Sequence, residues 1–150
     1  MLWKKMTTHS PTETEEVGRS LAEAMADGKS LPPFVAFYGD LGVGKTAFIR
    51  GFVSLLSPTS AVRSPTFALV NEYRGGKRPI FHFDMYRIQD EDDLYSIGFD
   101  DYPDRGICLV EWSENIPFAL PEEYVRVLIE KTPNDENERS ITIERIGKIC

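Results

Sequence analysis

Hydrophobic positions at helical spacing predict a first helix shortly after the N-terminus. The preceding run Ser10-Pro11-Thr12-Glu13 is typical of a helix start, because serine caps the first turn, proline suits the first position and glutamate follows three residues later. Asp27 and Gly28 predict where the helix ends. The positions that keep one face of this helix apolar are Val17, Leu21, Ala24 and Met25.

A short, continuous apolar run predicts a buried strand, and a second helix follows it. Residues 34–38 read Phe-Val-Ala-Phe-Tyr, which is typical of a strand covered on both faces. A glycine-rich stretch comes next. Within residues 47–56 the side chains of Phe48, Phe52 and Leu55 recur at helical spacing. The predicted order is therefore strand, glycine-rich loop, helix.

The rest of the chain alternates between short apolar runs and polar connections. Strands are predicted at residues 67–73, 79–83, 106–111, 124–130 and 140–145, with a hairpin turn at 74–77, a short acidic helix at 90–98 and a polar turn at 134–138. This order of helices and strands predicts an α/β fold with three layers and a mixed, partly parallel central sheet.

Composition and charge narrow the classes of protein to consider. With 150 residues, 41% hydrophobic and 27% charged, the chain is expected to form one globular domain over residues 1–150. Its net charge of −7 and the lack of a Lys/Arg run argue against direct capture of nucleic acid. Any connection to RNA is therefore expected to pass through a partner.

Cysteine usage and hydropathy favour a cytoplasmic protein. The two cysteines are Cys108, inside a predicted strand, and Cys150 at the C-terminus, and they do not make a disulfide framework. We interpret Cys108 as a small buried apolar residue. No stretch approaches the length of a membrane span, and residues 1–5 lack the apolar core of a signal peptide.

The glycine-rich stretch carries the clearest chemical signal in the chain. It fits the phosphate-binding pattern G-x-x-x-x-G-K-[ST] at every fixed position, and it lies between a predicted strand and a predicted helix, as that motif requires. Lys45 is expected to bridge the β- and γ-phosphates of a nucleotide, and the Thr46 hydroxyl to ligate Mg²⁺. The nucleotide-binding residues predicted by the pattern are Gly39, Asp40, Leu41, Gly42, Val43, Gly44, Lys45 and Thr46. The domain is therefore predicted to be a P-loop NTPase.

Two carboxylates are candidates for the acidic group that a P-loop site needs near the metal. Glu111 follows the buried run 107–110, and Asp84 ends the run 80–83, so both are expected at the carboxyl edge of the sheet. Either one could hold Mg²⁺ through water or orient the attacking water, and either could instead cap a turn. His82 shares a face with Asp84 by strand alternation, and we interpret it as structural rather than as a metal ligand.

Other candidate residues leave alternatives open. Trp112 could stack on a nucleotide base, lie at an interface, or be an ordinary half-buried aromatic residue. Thr66, in the loop Ser64-Pro65-Thr66-Phe67, could sense the γ-phosphate or be an ordinary turn hydroxyl. Arg139 and residues 10–12 are candidates for the pocket that binds the base of the nucleotide.

Three functional classes use such a loop. A partner-coupled ATPase and a small-molecule kinase both fit it, although a kinase usually carries an Arg-rich lid and the later basic residues here are scattered. A GTPase reads guanine through Asn/Thr-Lys-x-Asp, and that string does not occur. A nucleotide-gated scaffold with negligible turnover is a weaker possibility, because Lys45, Thr46, Glu111 and Asp84 are all intact.

Several signatures together resemble the TsaE (YjeE) family, small bacterial ATPases needed to form threonylcarbamoyladenosine in tRNA. The similarity runs in order from about Ser10 to Arg145. The residues that carry it are Tyr38-Gly39-Asp40-Leu41-Gly42-Val43-Gly44-Lys45-Thr46, Ser64-Pro65-Thr66-Phe67, Asn71-Glu72-Tyr73, His82-Phe83-Asp84-Met85-Tyr86-Arg87 and Val110-Glu111-Trp112.

The resemblance implies an ATP-binding and ATP-hydrolysing subunit, slow on its own, that joins TsaB- and TsaD-like partners. Its hydrolysis of ATP to ADP would support cycles of tRNA modification, and tRNA would be reached only through the complex. The candidate residues keep the roles that the motifs suggest. Lys45, Thr66, Asp84 and Glu111 are the catalytic candidates, and Thr46 and Glu111 are the candidates for holding Mg²⁺.

Overall fold

A computed structural model describes residues 2–28, 30–39, 44–62, 70–133 and 135–147. Within these residues the chain forms one seven-stranded sheet with α-helices packed against it. The strands are β1 (Leu2–Thr8), β2 (Phe34–Tyr38), β3 (Val70–Tyr73), β4 (Ile80–Asp84), β5 (Ile107–Glu111), β6 (Tyr124–Thr132) and β7 (Asp135–Ile146). The α-helices are α1 (Pro11–Met25), α2 (Lys45–Leu56) and α3 (Glu91–Ser96), and 3-10 turns lie at Phe99–Asp101, Ser113–Asn115 and Pro117–Ala119.

The sheet is mixed, with a parallel centre and antiparallel edges. Its strand order is β1-β7-β6-β2-β5-β4-β3. Strands β6, β2, β5 and β4 run parallel to their neighbours in this series, whereas β3, β7 and β1 pair antiparallel. The carboxyl ends of β2, β5 and β4 therefore meet at one edge of the sheet, where α/β proteins bind ligands.

Side-chain alternation divides the core into two layers on opposite faces of the sheet. On β5, Leu109 faces α1 and α2, whereas Cys108 and Val110 face the side covered by α3 and the 3-10 turns. Phe37 of β2 meets Phe48 of α2 edge to face, with ring centroids 5.4 Å apart. The three-layer α/β fold with a partly parallel sheet is confirmed.

Helices α1 and α2 approach each other closely at two glycines. A Cβ atom built on Gly51 would lie 1.8 Å from the carbonyl oxygen of Glu15, and one built on Gly18 would lie 2.0 Å from the carbonyl oxygen of Phe48. Only a residue without a side chain fits at such distances. These contacts fix α2, and with it the residues at its N-terminus, against α1.

The predicted ends of the elements agree with the structure in most places. Ser10 caps α1, since its Oγ accepts a hydrogen bond from the backbone N–H of Glu13 at 3.1 Å. The acidic helix is shorter than predicted, because Asp90 caps it and it ends at Ser96. The described part of the strand predicted at 67–73 begins at Val70.

Two features of the sheet differ from the predictions. Strand β1 was not predicted, because its side chains are mostly exposed and do not alternate, and its pairing with β7 places Met6 opposite Ile141. The polar turn predicted at 134–138 is wrong, since β7 already begins at Asp135. Among the described helices, none combines the length and the apolar character needed to cross a bilayer.

Candidate nucleotide-binding site

The glycines that flank the predicted phosphate loop have backbone angles that favour glycine. Gly39 follows β2 directly with φ of 130°, and Gly44 has φ of 108°. Helix α2 begins at Lys45, after Gly44 as its N-cap, and a glycine has no side chain to cap the first N–H groups. The positive end of the α2 dipole therefore lies at the carboxyl edge of the sheet, an arrangement suited to an anion. Asp40, Leu41, Gly42 and Val43 lie outside the described residues.

Lys45 turns back toward the strand ends rather than out to solvent. It is only 5% exposed, and its Nζ donates a hydrogen bond to the carbonyl oxygen of Gly39 at 2.8 Å. The same ammonium lies 4.4 Å from the centre of the Trp112 ring, directly after the end of β5. Thr46, the next residue, is exposed. The loop lysine and the end of β5 are thus brought together.

Glu111 and Asp84 lie side by side, since they are paired in the parallel register of β5 and β4. Asp84 is half-buried, and its Oδ1 accepts a hydrogen bond from the backbone N–H of Tyr86 at 2.9 Å. Asp84 therefore supports the turn after β4 as well as standing at the edge of the sheet. Glu111 is 9% exposed, and its Oε2 lies 2.6 Å from Nε2 of His82.

His82 is connected to Glu111, a link that the sequence analysis missed. The ring is fully buried on β4, and its Nδ1 lies 3.2 Å from the hydroxyl of Tyr73 on β3. Alternation along β4 indicated that His82 and Asp84 share a face. The neighbour on β5 could not be identified without the strand order.

Trp112 is held in a backbone conformation that is uncommon for residues other than glycine, with φ of 59°. Its carbonyl accepts the backbone N–H of Asn115 at 3.0 Å, and the Asn115 amide donates to the Met85 carbonyl at 2.9 Å. The ring is half-buried and packs on Tyr86, with centroids 5.0 Å apart. The ring also contacts Lys45, and the role of Trp112 toward a nucleotide stays a prediction. No motif or spacing in the sequence indicates that Asn115 lies at this site.

The residues suggested for the base pocket lie on β7 and at the start of α1. The Arg139 guanidinium donates to the carbonyl oxygens of Glu136 and Glu138. Thr14, one turn into α1, has its Cγ2 within 3.9 Å of a Cβ atom built on Gly44. The start of α1 therefore borders the start of α2, and the assignment of Arg139 and residues 10–12 to the base stays a prediction. Thr66 lies outside the described residues.

The donor groups at this edge fit a magnesium–phosphate complex. In the part of the chain that the structure describes, no three His, Cys, Asp or Glu side chains form a cluster that could hold a metal ion. Mg²⁺ does not need one, because it is usually bound through one or two protein oxygens, phosphate oxygens and water. The Thr46 hydroxyl and the Glu111 carboxylate are oxygen donors of the required kind.

The neighbouring Tyr38 is expected to stay protonated at this edge. It ends β2 one residue before Gly39. Burial, followed by the unfavourable electrostatic interaction with Tyr124, raises the pKa of Tyr38 to about 12. The Arg126 guanidinium lies over the Tyr38 ring at 4.9 Å. Tyr38 therefore adds no negative charge beside the loop at neutral pH.

Comparisons with known proteins show the family of the chain. The family model described as "Threonylcarbamoyl adenosine biosynthesis protein TsaE" matches residues 8–141. Two proteins named "tRNA threonylcarbamoyladenosine biosynthesis protein TsaE" are similar to the chain. The one from Haemophilus influenzae is 40% identical over 97% of this chain and 94% of its own length. The one from Bacillus subtilis is 38% identical over 95% of this chain and 86% of its own length.

A solved structure is also similar to the chain. The crystal structure of Bacillus subtilis YdiB superimposes with a TM-score of 0.77 at 32% identity, over 98% of this chain and 88% of that one. The family model covers most of the chain, and the relatives are similar over nearly their whole lengths. The chain belongs to the TsaE family, which takes part in the biosynthesis of tRNA threonylcarbamoyladenosine.

Proposed function

We propose that this chain is a Mg²⁺-dependent ATPase subunit that supports the threonylcarbamoyladenosine modification of tRNA. The observation that carries the proposal is the position of Lys45, whose buried ammonium bridges the loop residue Gly39 and the end of β5. A lysine held there can reach the β- and γ-phosphates of a nucleotide at the N-terminus of α2. The family assignment supports a role for this chain in threonylcarbamoyladenosine biosynthesis.

The proposed roles of the side chains follow from their chemistry. Lys45 neutralises phosphate charge as it develops on the leaving and transferred groups. Mg²⁺, when bound with the nucleotide, supplies further charge neutralisation and holds the phosphates in a fixed geometry. The Thr46 hydroxyl and Glu111 would hold that ion. Asp84 or Glu111 would orient the attacking water, and Thr66 would respond to the γ-phosphate.

Partner proteins complete the proposed activity. We propose that TsaB- and TsaD-like proteins bind this subunit and that tRNA contacts it only through that complex. The charge of −7 opposes direct binding of a polyanion. Turnover is expected to be slow for the isolated chain. A cytoplasmic location, inferred from the sequence, stays a prediction.

Nucleotide titrations of matched variants test the proposal. Lys45→Ala is expected to weaken binding of Mg²⁺-ATP strongly. Thr46→Ala is expected to reduce metal-dependent hydrolysis more than nucleotide affinity, because its hydroxyl serves the metal. Lys77→Ala is the control, since it removes an exposed cation from the connection between β3 and β4. Wild-type affinity in Lys45→Ala would contradict the proposal.

The same samples separate the other functional classes. Comparing ATP with GTP distinguishes an ATPase from a GTPase-type switch. Analysis of the products after incubation with ATP and a panel of nucleosides and small acids distinguishes hydrolysis from a kinase reaction. If the protein binds ATP but does not hydrolyse it, even with partners present, the result would favour a nucleotide-gated scaffold over an ATPase.

A further inference from the structure

We propose that His82, supported by Tyr73, is the positioning residue for Glu111. The inference rests on the ATPase proposed above, because Glu111 is one of its catalytic carboxylates. Three neighbouring strands contribute to the arrangement: Tyr73 lies on β3, His82 on β4 and Glu111 on β5. The hydroxyl, the imidazole and the carboxylate form a continuous chain of hydrogen bonds that ends at the edge of the sheet.

Distances and burial show that the three hydrogen-bonded side chains are held tightly in place. The two bonds measure 3.2 Å from the Tyr73 hydroxyl to His82 Nδ1 and 2.6 Å from His82 Nε2 to Glu111 Oε2. His82 has no exposed surface, and Tyr73 is 5% exposed. The rings of Tyr73 and His82 also pack together, with centroids 6.1 Å apart. Such a chain restricts the rotation of each side chain.

The direction of the hydrogen bonds follows from the acceptor at the end. A carboxylate accepts, so the Nε2 atom of His82 carries the hydrogen that points to Glu111. When the ring carries a single hydrogen, Nδ1 accepts the hydroxyl hydrogen of Tyr73, and this bond favours the tautomer with hydrogen on Nε2. One oxygen of Glu111, Oε2, is used in the bond to His82. Among the residues that the structure describes, no hydrogen bond to the other oxygen, Oε1, is seen, and we assign this oxygen to a metal or a water at the nucleotide.

Stability alone does not explain why three hydrogen-bonded polar side chains lie in this part of the core. The residue two positions earlier on the same face of β4 is Ile80, which packs in the apolar core with Leu109 of the neighbouring strand. Apolar side chains in place of His82 and its two partners would continue that core without the cost of burying polar groups. What the imidazole adds is a donor aimed at Glu111. A glutamate has three rotatable bonds, and this donor fixes where its carboxylate lies.

Loss of the donor is therefore expected to reduce turnover and not nucleotide binding. A partner that orients a catalytic group typically contributes about 10- to 100-fold. We expect His82→Leu to lower kcat for ATP by about that factor, with little change in KM or in ADP affinity. His82→Gln is expected to recover much of the loss, because its amide nitrogen can occupy the place of Nε2. Tyr73→Phe is expected to have an intermediate effect.

Cys108→Ala provides a matched control for packing. It shortens another fully buried side chain of the same sheet, on the opposite face of β5. It is expected to lower the melting temperature without lowering kcat. If His82→Leu and Cys108→Ala lose stability to the same extent and both keep wild-type kcat, His82 is only a core residue and the inference is wrong.

A second measurement does not depend on ATPase activity. Long-range ¹H–¹⁵N correlation spectra report which nitrogen of each imidazole carries hydrogen, and the chain has only two histidines. His9→Gln assigns the signals of His82. Without nucleotide, we expect hydrogen on Nε2 and a clear change of the His82 signals in Glu111→Ala. Unchanged His82 signals in that variant would overturn the inference. Absence of ATPase activity in the wild-type protein would instead contradict the proposed function.

Discussion

Gly51→Ala tests whether the close approach of α1 and α2 fixes the helix that carries the phosphate-binding residues. The added methyl group would lie 1.8 Å from the carbonyl oxygen of Glu15. That is about 1.2 Å inside the shortest normal contact, and the atom it meets belongs to a helix backbone that cannot rotate away. The two helices would have to separate, which would also loosen the packing of Phe48 and Phe52 between them and the sheet.

The expected change in the free energy of unfolding of Gly51→Ala follows from two opposing effects. Overpacking in a core costs about 1–3 kcal/mol, and a rigid backbone neighbour favours the upper end of this range. Alanine is a better helix former than glycine by about 1 kcal/mol, which acts in the opposite direction. The free energy of unfolding is therefore expected to fall by about 2 kcal/mol. For a domain of this size the melting temperature would fall by about 4–8 °C.

Urea denaturation followed by circular dichroism measures this change directly. Arg50→Ala, at the neighbouring position of α2, is the control. It removes an exposed side chain and its 3.8 Å ion pair with Glu15, and because exposed pairs contribute little, its effect is expected to stay within about 0.5 kcal/mol. Gly18→Ala should destabilise in the same way, since its Cβ would meet the Phe48 carbonyl at 2.0 Å. The double glycine variant should lose less than the sum, because helices already separated meet no second clash. Equal or higher stability of Gly51→Ala would refute the close approach.

Further predictions concern the helix cap, the buried thiol and the tryptophan at the loop. Ser10→Ala removes the cap of α1 and is expected to lower the free energy of unfolding by about 1 kcal/mol in urea titrations. Burial raises the pKa of Cys108 to about 12, so in a Cys150→Ser protein iodoacetamide at pH 8 should modify the thiol only after unfolding. Because the pKa of the thiol is higher in the folded than in the unfolded state, the contribution of Cys108 to the free energy of unfolding is fully present below the ordinary pKa of 9.0 and is lost as the pH rises toward 12. Cys108→Ala should therefore lose less stability at alkaline pH than the wild-type protein. In a Trp3→Phe background the emission of Trp112 should change when Mg²⁺-ATP draws Lys45 away from the ring, and unchanged emission in a protein that binds ATP would contradict that contact.

Much of the fold could be predicted because its central elements have strong local signals. Strand β2 was predicted with its observed ends, since five consecutive apolar residues precede the glycines. Strand β1 and the beginning of β7 were missed. Their side chains are largely exposed, so no apolar pattern marks them. Strand β1 is extended because it pairs with residues 139–144 of β7, and the beginning of β7 is extended because it pairs with the end of β6.

The candidate site was predictable in its parts but not in its contacts. Position at strand ends was enough to select Glu111 and Asp84, which are neighbours in the sheet. The bond from His82 to Glu111 required knowing that β4 lies beside β5, and no local pattern gives that order. The contact of Lys45 with Trp112 joins residues 67 positions apart in sequence. The roles assigned to Asp40–Val43 and Thr66 stay predictions.

The proposed function is tested most directly by counting modified tRNA molecules in a reconstituted reaction. The chain, TsaB- and TsaD-like partners from the same source, tRNA and ATP are combined, and threonylcarbamoyladenosine is quantified per complex over time. We expect the wild-type chain to support many rounds of modification. Lys45→Ala and Glu111→Gln should lower the number of rounds completed in the same time by tenfold or more, which corresponds to at least about 1.4 kcal/mol of barrier. Wild-type yields with either variant would contradict a role for ATP hydrolysis at this site.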